Sequence, residues 1–286
     1  MDPHITIRRL TAADLDAASD ILIAAYDNPA SRMATLRRYL SLQPDGWLLA
    51  LLDGRPAGMG GAVNYGPFAS IGSVGVRPEA RRRGVARTLM DRLLAWLEAA
   101  GCHVAVLVAT EAGAPLYTRL GFEEDGMTLI FRRDEAAARP ASYPSTRVSV
   151  LRADDLPALA RFDAPIFGAT RPAALALFVA DDPRRAFVVR DKEGAVAGYL
   201  VAQQQTLGPW AARTPEDAEA LLAHALTLPF DGVARAIVPS ANGDAARLLH
   251  RYGFGEPFPL RHMRRGGVAA PGRPTMLYGL SGFALG

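Results

Sequence analysis

Residues 74–88 read Val-Gly-Val-Arg-Pro-Glu-Ala-Arg-Arg-Arg-Gly-Val-Ala-Arg-Thr. The stretch leaves a β-rich segment, crosses a short basic glycine loop and enters a helix whose apolar positions Val85, Leu89, Leu93 and Leu97 recur every four residues. The first turn of a helix leaves backbone N–H groups unpaired, and the helix dipole favours negative charge there. The stretch therefore predicts a strand, a loop and a helix that together cradle a diphosphate.

The side chains of the loop suit this role. Gly84 lets the backbone approach an anion closely, and Arg81, Arg82, Arg83 and Arg87 add positive charge around it. Three arginines before a helix are by themselves more typical of a solvated surface. The chain has no Walker loop, and its glycine run at 58–61 lacks the following helix that a dinucleotide-binding fingerprint needs.

The loop resembles the acyl-CoA signature of the GNAT acetyltransferase superfamily. Arg81-x-x-Gly84-x-Ala86 matches the R/Q-x-x-G-x-G/A pattern, and Val74-x-Val76-x-Pro78 stands where that family has a splayed strand. The resemblance implies acetyl-CoA as cosubstrate. The donor site that it implies consists of Val74, Gly75, Val76, Arg81, Arg82, Arg83, Gly84, Val85, Ala86, Arg87, Thr88 and Thr110.

A second block strengthens the resemblance. An apolar run from Cys102 to Ala109 is followed by Thr110-Glu-Ala-Gly-Ala-Pro-Leu-Tyr-Thr-Arg-Leu-Gly-Phe122, which is similar to the closing strand and short helix of the family. The resemblance implies that Tyr117 is the general acid that protonates the departing thiolate, since a phenol is a weak acid. The alternative is an amphipathic residue that fills the core.

The base that deprotonates the acceptor amine is less defined. The strand before the cradle, Ala69-Ser-Ile-Gly-Ser-Val, contains no carboxylate. Glu111 is a candidate, although it also suits an exposed helix start. Asp27, or a chain of waters that ends on a carbonyl, is the other possibility.

Length and composition limit the number of domains and the kinds of partner that the protein can have. The chain has 286 residues, half of them hydrophobic, so we expect two globular domains with separate cores. The net charge of +3 comes from scattered arginines, which argues against nucleic acid as a partner.

The five histidines lack metal-ligand spacing, so no metal is expected, and the single Cys102 suits a reducing compartment. Without a targeting segment or membrane span, we expect a soluble, cytoplasmic protein.

The chain repeats itself. Ile7-Arg-Arg-Leu-Thr-Ala-Ala-Asp-Leu15 is echoed by Val148-Ser-Val-Leu-Arg-Ala-Asp-Asp-Leu156, and Leu120-Gly-Phe122 by Tyr252-Gly-Phe254. We predict a catalytic GNAT domain over 1–139, a linker over 140–146 and a degenerate GNAT-like domain over 147–286. The fold class is α/β (α+β), with two tandem domains that each have a mixed, mostly antiparallel twisted sheet flanked by helices.

The second copy lacks the chemistry of the first. The segment that corresponds to the cradle is Trp210-Ala-Ala-Arg-Thr-Pro-Glu-Asp-Ala-Glu, whose acidic helix start repels a diphosphate, and Leu249 replaces the tyrosine. One acyl-CoA site per chain is expected. Phe167-Gly168, Gly208-Pro209, Tyr252-Gly-Phe254 and Arg261-His-Met-Arg264 resemble a YitH-type C-terminal domain.

The acceptor is expected to be a small-molecule amine, or a protein amine, bound near the early helices and the turn between the central strands. Tyr26, Asn64, Tyr65 and Phe68 are candidates for binding it, although aromatic residues there also suit packing. Asp163, Tyr199 and Trp210 of the second domain are further candidates. The alternatives are an acyltransferase that uses another acyl-CoA or a thiol-precursor amine, and a non-catalytic sensor that binds acyl-CoA or a partner.

Overall fold

The computed structural model describes residues 4–134, 137, 145–267 and 272–286. Most of the predicted linker, residues 140–144, lies outside this part of the chain. The helices and strands of the first half are β1 Ile5–Arg9, α1 Leu15–Tyr26, α2 Met33–Leu42, β2 Trp47–Leu52, β3 Arg55–Asn64, β4 Ala69–Val76, α3 Val85–Ala99, β5 Ala105–Ala109, α4 Ala114–Arg119 and β6 Glu123–Arg132. Those of the second half are β7 Val148–Val150, α5 Leu156–Phe167, α6 Pro172–Asp181, β8 Ala186–Arg190, β9 Val196–Ala202, β10 Thr206–Ala212, α7 Pro215–Ala225, β11 Arg235–Pro239, α8 Gly243–Arg251, β12 Phe258–Arg265 and β13 Leu277–Gly279.

The described strands form a single sheet. Its order is β1-β2-β3-β4-β5-β12-β6-β11-β10-β9-β8-β7, with β13 paired to β10. The pairs β4–β5 and β10–β11 are parallel, and the others are antiparallel. The predicted fold class, a mixed and mostly antiparallel sheet flanked by helices in each half, is confirmed.

Each half contributes one strand to the sheet of the other. β12 of the second half lies between β5 and β6, whereas β6 of the first half lies between β12 and β11. Each half thus completes the sheet of the other. The domain limits 1–139 and 147–286 stay a prediction, but no cut in the chain separates the sheet into two.

The expectation of separate cores was wrong. One cluster of buried side chains contains Leu22 and Trp47 of the first half together with Leu159, Phe178 and Tyr199 of the second. Helices α2 and α6 are also in contact, through an ion pair of Arg38 with Asp181. Because strand exchange brings both halves against the same sheet, apolar side chains from both are buried together.

Two helices position the first half's site from opposite faces of β3 and β4. A β-carbon on Gly75 would lie 3.0 Å from Leu22 and 3.1 Å from Ala25, both of α1. One on Gly58 would lie 2.8 Å from Val85 of α3. Glycines therefore let both helices approach the strands closely, and the start of α3 is held directly over the sheet.

Candidate active site

The loop before α3 forms a nest of unpaired N–H groups. Arg82 and Gly84 have left-handed φ angles of 61° and 87°. From Arg82 to Arg87 no backbone N–H has a hydrogen-bond acceptor within the described residues, and the helical ladder starts with Thr88 donating to the Gly84 carbonyl at 3.0 Å. Such a run of convergent donors at a helix N-terminus fits an anion such as a diphosphate.

The arginines of the cradle are exposed and loosely held. Arg81 donates to the carbonyl of Ala25 at 3.0 Å, Arg83 pairs with Asp53 at 3.0 Å, and Arg87 pairs with Asp91 at 3.2 Å. Arg82 has no partner in the described part of the chain. Surface pairs of this kind are weak, so these guanidinium groups remain available to an anion.

Strands β4 and β5 separate next to the cradle. They are paired only at Ala69, Ser70 and Ile71, although β4 continues to Val76 and β5 to Ala109. Ser73 has φ 53°, and the register between β3 and β4 shifts there. Beyond Ile71, the edge of β4 that faces β5 has no strand partner among the described residues. An extended ligand can therefore pair with this edge, apart from the Val74 carbonyl, which accepts a hydrogen bond from the Tyr26 hydroxyl.

Tyr117 lies in α4, the short helix that follows β5. The residue is 8% exposed, and its hydroxyl makes no hydrogen bond within the described residues. Burial raises the pKa of Tyr117 well above its usual value, and the phenol of Tyr26 adds to this rise. A phenol that stays protonated is suited to donate a proton.

Glu111 and Thr110 lie in the loop between β5 and α4. The Glu111 side chain is exposed and has no partner in the part of the chain that the structure describes. Thr110 Oγ1 accepts a hydrogen bond from the N–H of Gly113 at 3.2 Å and so stabilises the start of α4. Asp27 ends α1 in the left-handed conformation and is also exposed.

The four candidates for acceptor binding occupy different places. The Tyr26 hydroxyl donates to the Val74 carbonyl at 3.0 Å, next to the strand opening. Asn64 accepts from the N–H of Gly66 in a turn, and the Tyr65 hydroxyl donates to the carbonyl of Leu285. Phe68 is buried. Tyr65 and Phe68 both pack on the ring of Phe167, at 4.9 and 5.3 Å between ring centroids, so they join the two halves.

The candidates from the second half are core residues. Asp163, Tyr199 and Trp210 are each 0% exposed. Asp163 holds a bidentate ion pair with Arg171, and Tyr199 donates to Asp163 at 2.5 Å. None of the three lines a groove, because all three side chains are fully buried, Asp163 on α5, Tyr199 on β9 and Trp210 on β10.

A cavity of about 160 Å³ lies where the halves meet. We call it the junction cavity, and its walls include Phe68, Val108, Met127, Phe167, His262 and Phe283. Ser70 and Val108 connect it to the end of the paired part of β4 and β5. Its lining is mainly apolar, with Asp125 and His262 as the titratable side chains among the described residues.

The second half closes the corresponding opening with its own chain. β10 and β11 are paired in parallel only at 206–207 against 235–236. Beyond that, β13 pairs with β10, and the N–H of Leu280 donates to Ile237 at 2.7 Å. At the start of α7, Thr214 accepts from the N–H of Asp217. One N–H group of this helix start is therefore satisfied by a side chain, and Pro215 at the first helical position has no N–H to offer a diphosphate.

Sequence reasoning missed Asp125, His262 and the strand β13. Arg261-His-Met-Arg264 entered only through the resemblance to a YitH-type domain, which assigns no role to His262. No local signal reveals that β12 pairs with β5, because that register joins segments far apart in the chain.

No helix of the described residues is both long and apolar enough to span a bilayer. In the same residues, no three His, Cys, Asp or Glu side chains converge as metal ligands do.

Two family descriptions match the chain. "Acetyltransferase (GNAT) family" matches residues 15–122, and "Acetyltransferase (GNAT) domain" matches residues 159–279. Together they cover most of the chain and both copies of the repeat. The finer assignment of the second copy as YitH-type stays a prediction.

Relatives agree with these matches. A mycothiol acetyltransferase of Parafrankia sp. (strain EAN1pec) is 29% identical over 156 residues, which are 52% of this chain and 48% of that protein. The chain thus spans about half the length of this curated relative. A putative acetyltransferase from Pyrococcus horikoshii is 26% identical, with a TM-score of 0.86 over 99% of this chain and 96% of that one. A GCN5-related N-acetyltransferase from Sphaerobacter thermophilus, 17% identical, shares the fold with a TM-score of 0.69 over 93% and 98% of the two chains.

Proposed function

The chain belongs to the GNAT family of acetyltransferases, and we propose that it transfers an acetyl group from acetyl-CoA to a primary amine of a small molecule. The reaction is direct attack of the amine within a ternary complex. The observation that carries the proposal is the opening between β4 and β5, which ends at the unpaired N–H groups from Arg82 to Arg87.

The donor site follows from these elements. The N–H groups and arginines of the cradle hold the diphosphate, and the free edge of β4 over Val74, Gly75 and Val76 binds the extended arm by backbone hydrogen bonds. Both contacts orient the thioester before the amine arrives. Tyr117 then supplies the proton for the leaving sulfur.

The junction cavity is the proposed acceptor site. It reaches the strand opening at Ser70 and Val108, and its volume suits a small molecule better than a protein segment. Its mainly apolar walls favour an amine that carries an apolar or aromatic group. Phe68 contributes to that wall, whereas Tyr26 stands beside the strand opening.

We expect acetyl-CoA to bind with a stoichiometry of one per chain, because β13 closes the second opening. Calorimetric titration of the purified protein measures this number. Two sites per chain would mean that β13 leaves its place, and no binding would overturn the proposed donor site.

Replacing Tyr117 by phenylalanine is expected to lower the turnover number by about 10²- to 10⁴-fold while the affinity for acetyl-CoA stays the same, because only a proton donor is lost. Thiol release measures turnover and calorimetry measures affinity. The matched control is Tyr278→Phe, a buried tyrosine of the second half. Equal turnover of Tyr117→Phe and the wild type would remove this phenol from the mechanism.

The acceptor of the mycothiol enzyme defines a second candidate. The match to that relative favours a thiol-precursor amine as the acceptor. Such an amine is more polar than the acceptor that the mainly apolar cavity lining favours. A panel that contains apolar arylalkyl amines and amino sugars separates the two candidates. An apolar acceptor predicts the lower KM for the arylalkyl amines, and a thiol-precursor acceptor predicts the lower KM for the amino sugars. Binding of acetyl-CoA without turnover of any amine would instead support a sensor.

A further inference from the structure

The second half of the chain contributes a histidine to the proposed acceptor site of the first. His262 lies on β12, directly opposite Val108 of β5 in an antiparallel register. Directly opposed residues point to the same face of a sheet, so the imidazole stands beside Val108. Val108 belongs to the end of β5 that has already separated from β4. His262 is thus one strand away from the opening that is proposed to hold the thioester.

A bulge places a carboxylate next to this histidine. The register between β6 and β12 shifts opposite His262, and Gly126 in the bulge has φ 104°. The extra residue bends β6 and brings Asp125 Oδ2 to 4.0 Å from His262 Nδ1. The same oxygen is 3.0 Å from Arg264 Nε. Asp125 is therefore paired already, and it faces the imidazole without being free to take a proton itself.

The surroundings of His262 favour its neutral form. The side chain is 25% exposed, so it is partly desolvated and still accessible from the cavity. Burial lowers the pKa of His262 below its ordinary value of 6.5, and Arg264 acts in the same direction. Asp125 opposes them through its carboxylate and its backbone. A neutral imidazole at pH 7 accepts a proton.

Other candidates for this task are placed less well. Glu111 and Asp27 are exposed, and neither lines the junction cavity. Among the described residues, Asp125 and His262 are the titratable side chains in its wall, and Asp125 is held by Arg264. Of the titratable side chains that the structure describes, the imidazole of His262 is the one that lines the cavity without an ion pair to an arginine.

We propose that His262 is the base that takes the proton from the acceptor amine, with Asp125 as its positioning residue. The inference rests on the proposed function. The amine nitrogen forms a bond to the acetyl carbonyl carbon as its proton moves to the imidazole, the carbon–sulfur bond breaks, and the leaving thiolate takes the proton of Tyr117. The imidazolium and the tyrosinate then return to their starting states by exchange with solvent. A strand donated across the repeat thus makes the catalytic half dependent on its degenerate copy.

The test compares His262→Gln with His103→Gln. His103 is exposed and lies two residues before β5, away from the end that holds Val108. Acetyl-CoA and 2-phenylethylamine are the substrates, followed by the amine panel if that amine is inert. We expect His262→Gln to lose about 10²- to 10⁴-fold in kcat/KM for the amine, with acetyl-CoA affinity unchanged, and His103→Gln to behave as the wild type. Retained acetyl-CoA binding shows that the variant is folded.

The pH profile distinguishes a base from a structural residue. The ratio of wild-type to His262→Gln activity should be constant above the pKa of His262 and fall towards one below it, because protonated imidazole cannot accept a proton. Since Asp125 raises that pKa, Asp125→Asn should move the fall to lower pH. If the wild type is active and His262→Gln is equally active, or if the ratio of their activities does not depend on pH, His262 is not the base. The proposed acetyl transfer itself would then still stand. A wild type inactive with every amine overturns the proposed function and this inference with it.

Discussion

Replacing Gly84 by glutamate is expected to abolish acetyl-CoA binding, with a loss of affinity of at least about a hundredfold, or roughly 2.7 kcal/mol. Gly84 has φ 87°, and a residue with a β-carbon costs about 1–2 kcal/mol in that conformation. The new carboxylate also stands among the N–H groups that are proposed to face the diphosphate, where like charges repel strongly. Calorimetric titration with acetyl-CoA measures the loss.

Two variants separate charge from strain. Gly101 also has a positive φ, 72°, and a β-carbon there would touch nothing within 4 Å, but it follows the C-terminal end of the same helix. Gly101→Glu should therefore bind acetyl-CoA as the wild type does. Gly84→Asn keeps a residue that tolerates left-handed backbone without the charge, and a small loss is expected. Undiminished binding by Gly84→Glu would overturn the cradle as donor site.

Replacing Asp163 by alanine is expected to lower the free energy of unfolding by about 3–5 kcal/mol. Asp163 is 0% exposed and makes two hydrogen bonds with Arg171, at 2.8 and 3.0 Å, and a third with Tyr199. Its removal leaves the buried Arg171 guanidinium without its counter-charge, a far larger cost than the loss of a surface pair. Denaturant unfolding, followed by circular dichroism, measures the change.

The control is Asp244→Ala, which breaks an exposed pair with Arg247 and should cost less than about 1 kcal/mol. A functional effect should accompany the loss in Asp163→Ala. Arg171 stacks on Phe167 at 3.6 Å, and Phe167 forms part of the wall of the junction cavity. The KM for the amine should therefore rise while the affinity for acetyl-CoA stays the same. Equal stability of the two variants would contradict the role assigned to the buried pair.

Much of the local structure follows from the sequence. The strand expected before the cradle is β4, and the helix expected from the apolar positions Val85, Leu89, Leu93 and Leu97 runs from Val85 to Ala99. The acidic helix start expected within residues 210–219 is the first turn of α7, which begins at Pro215 with the Thr214 side chain as its cap. These elements are encoded by signals within a few residues, namely alternation, fourfold apolar spacing, a capping side chain and a glycine with positive φ.

The core that the two halves share was not predictable in the same way. Two copies of one pattern suggest two independent domains, and the sequence of β6 or β12 is compatible with pairing in either half. Whether a half keeps its own strand or exchanges it depends on the whole sheet. Residues such as Leu22 and Leu159 therefore share a core only once both halves have joined that sheet. Tyr65 and Phe68 pack on Phe167 for the same reason.

By itself, the sequence determined the basic glycine loop that joins a strand to an amphipathic helix, and such a helix start leaves N–H groups unpaired wherever the rest of the chain lies. It also determined that the second copy lacks such a loop. Only the tertiary structure decided that β13 fills the second opening, that the junction cavity exists, and that His262 stands beside Val108. The physical reason is range: turns and helix starts are set by neighbouring residues, whereas strand register between distant segments is set by which complete sheet buries the most apolar surface.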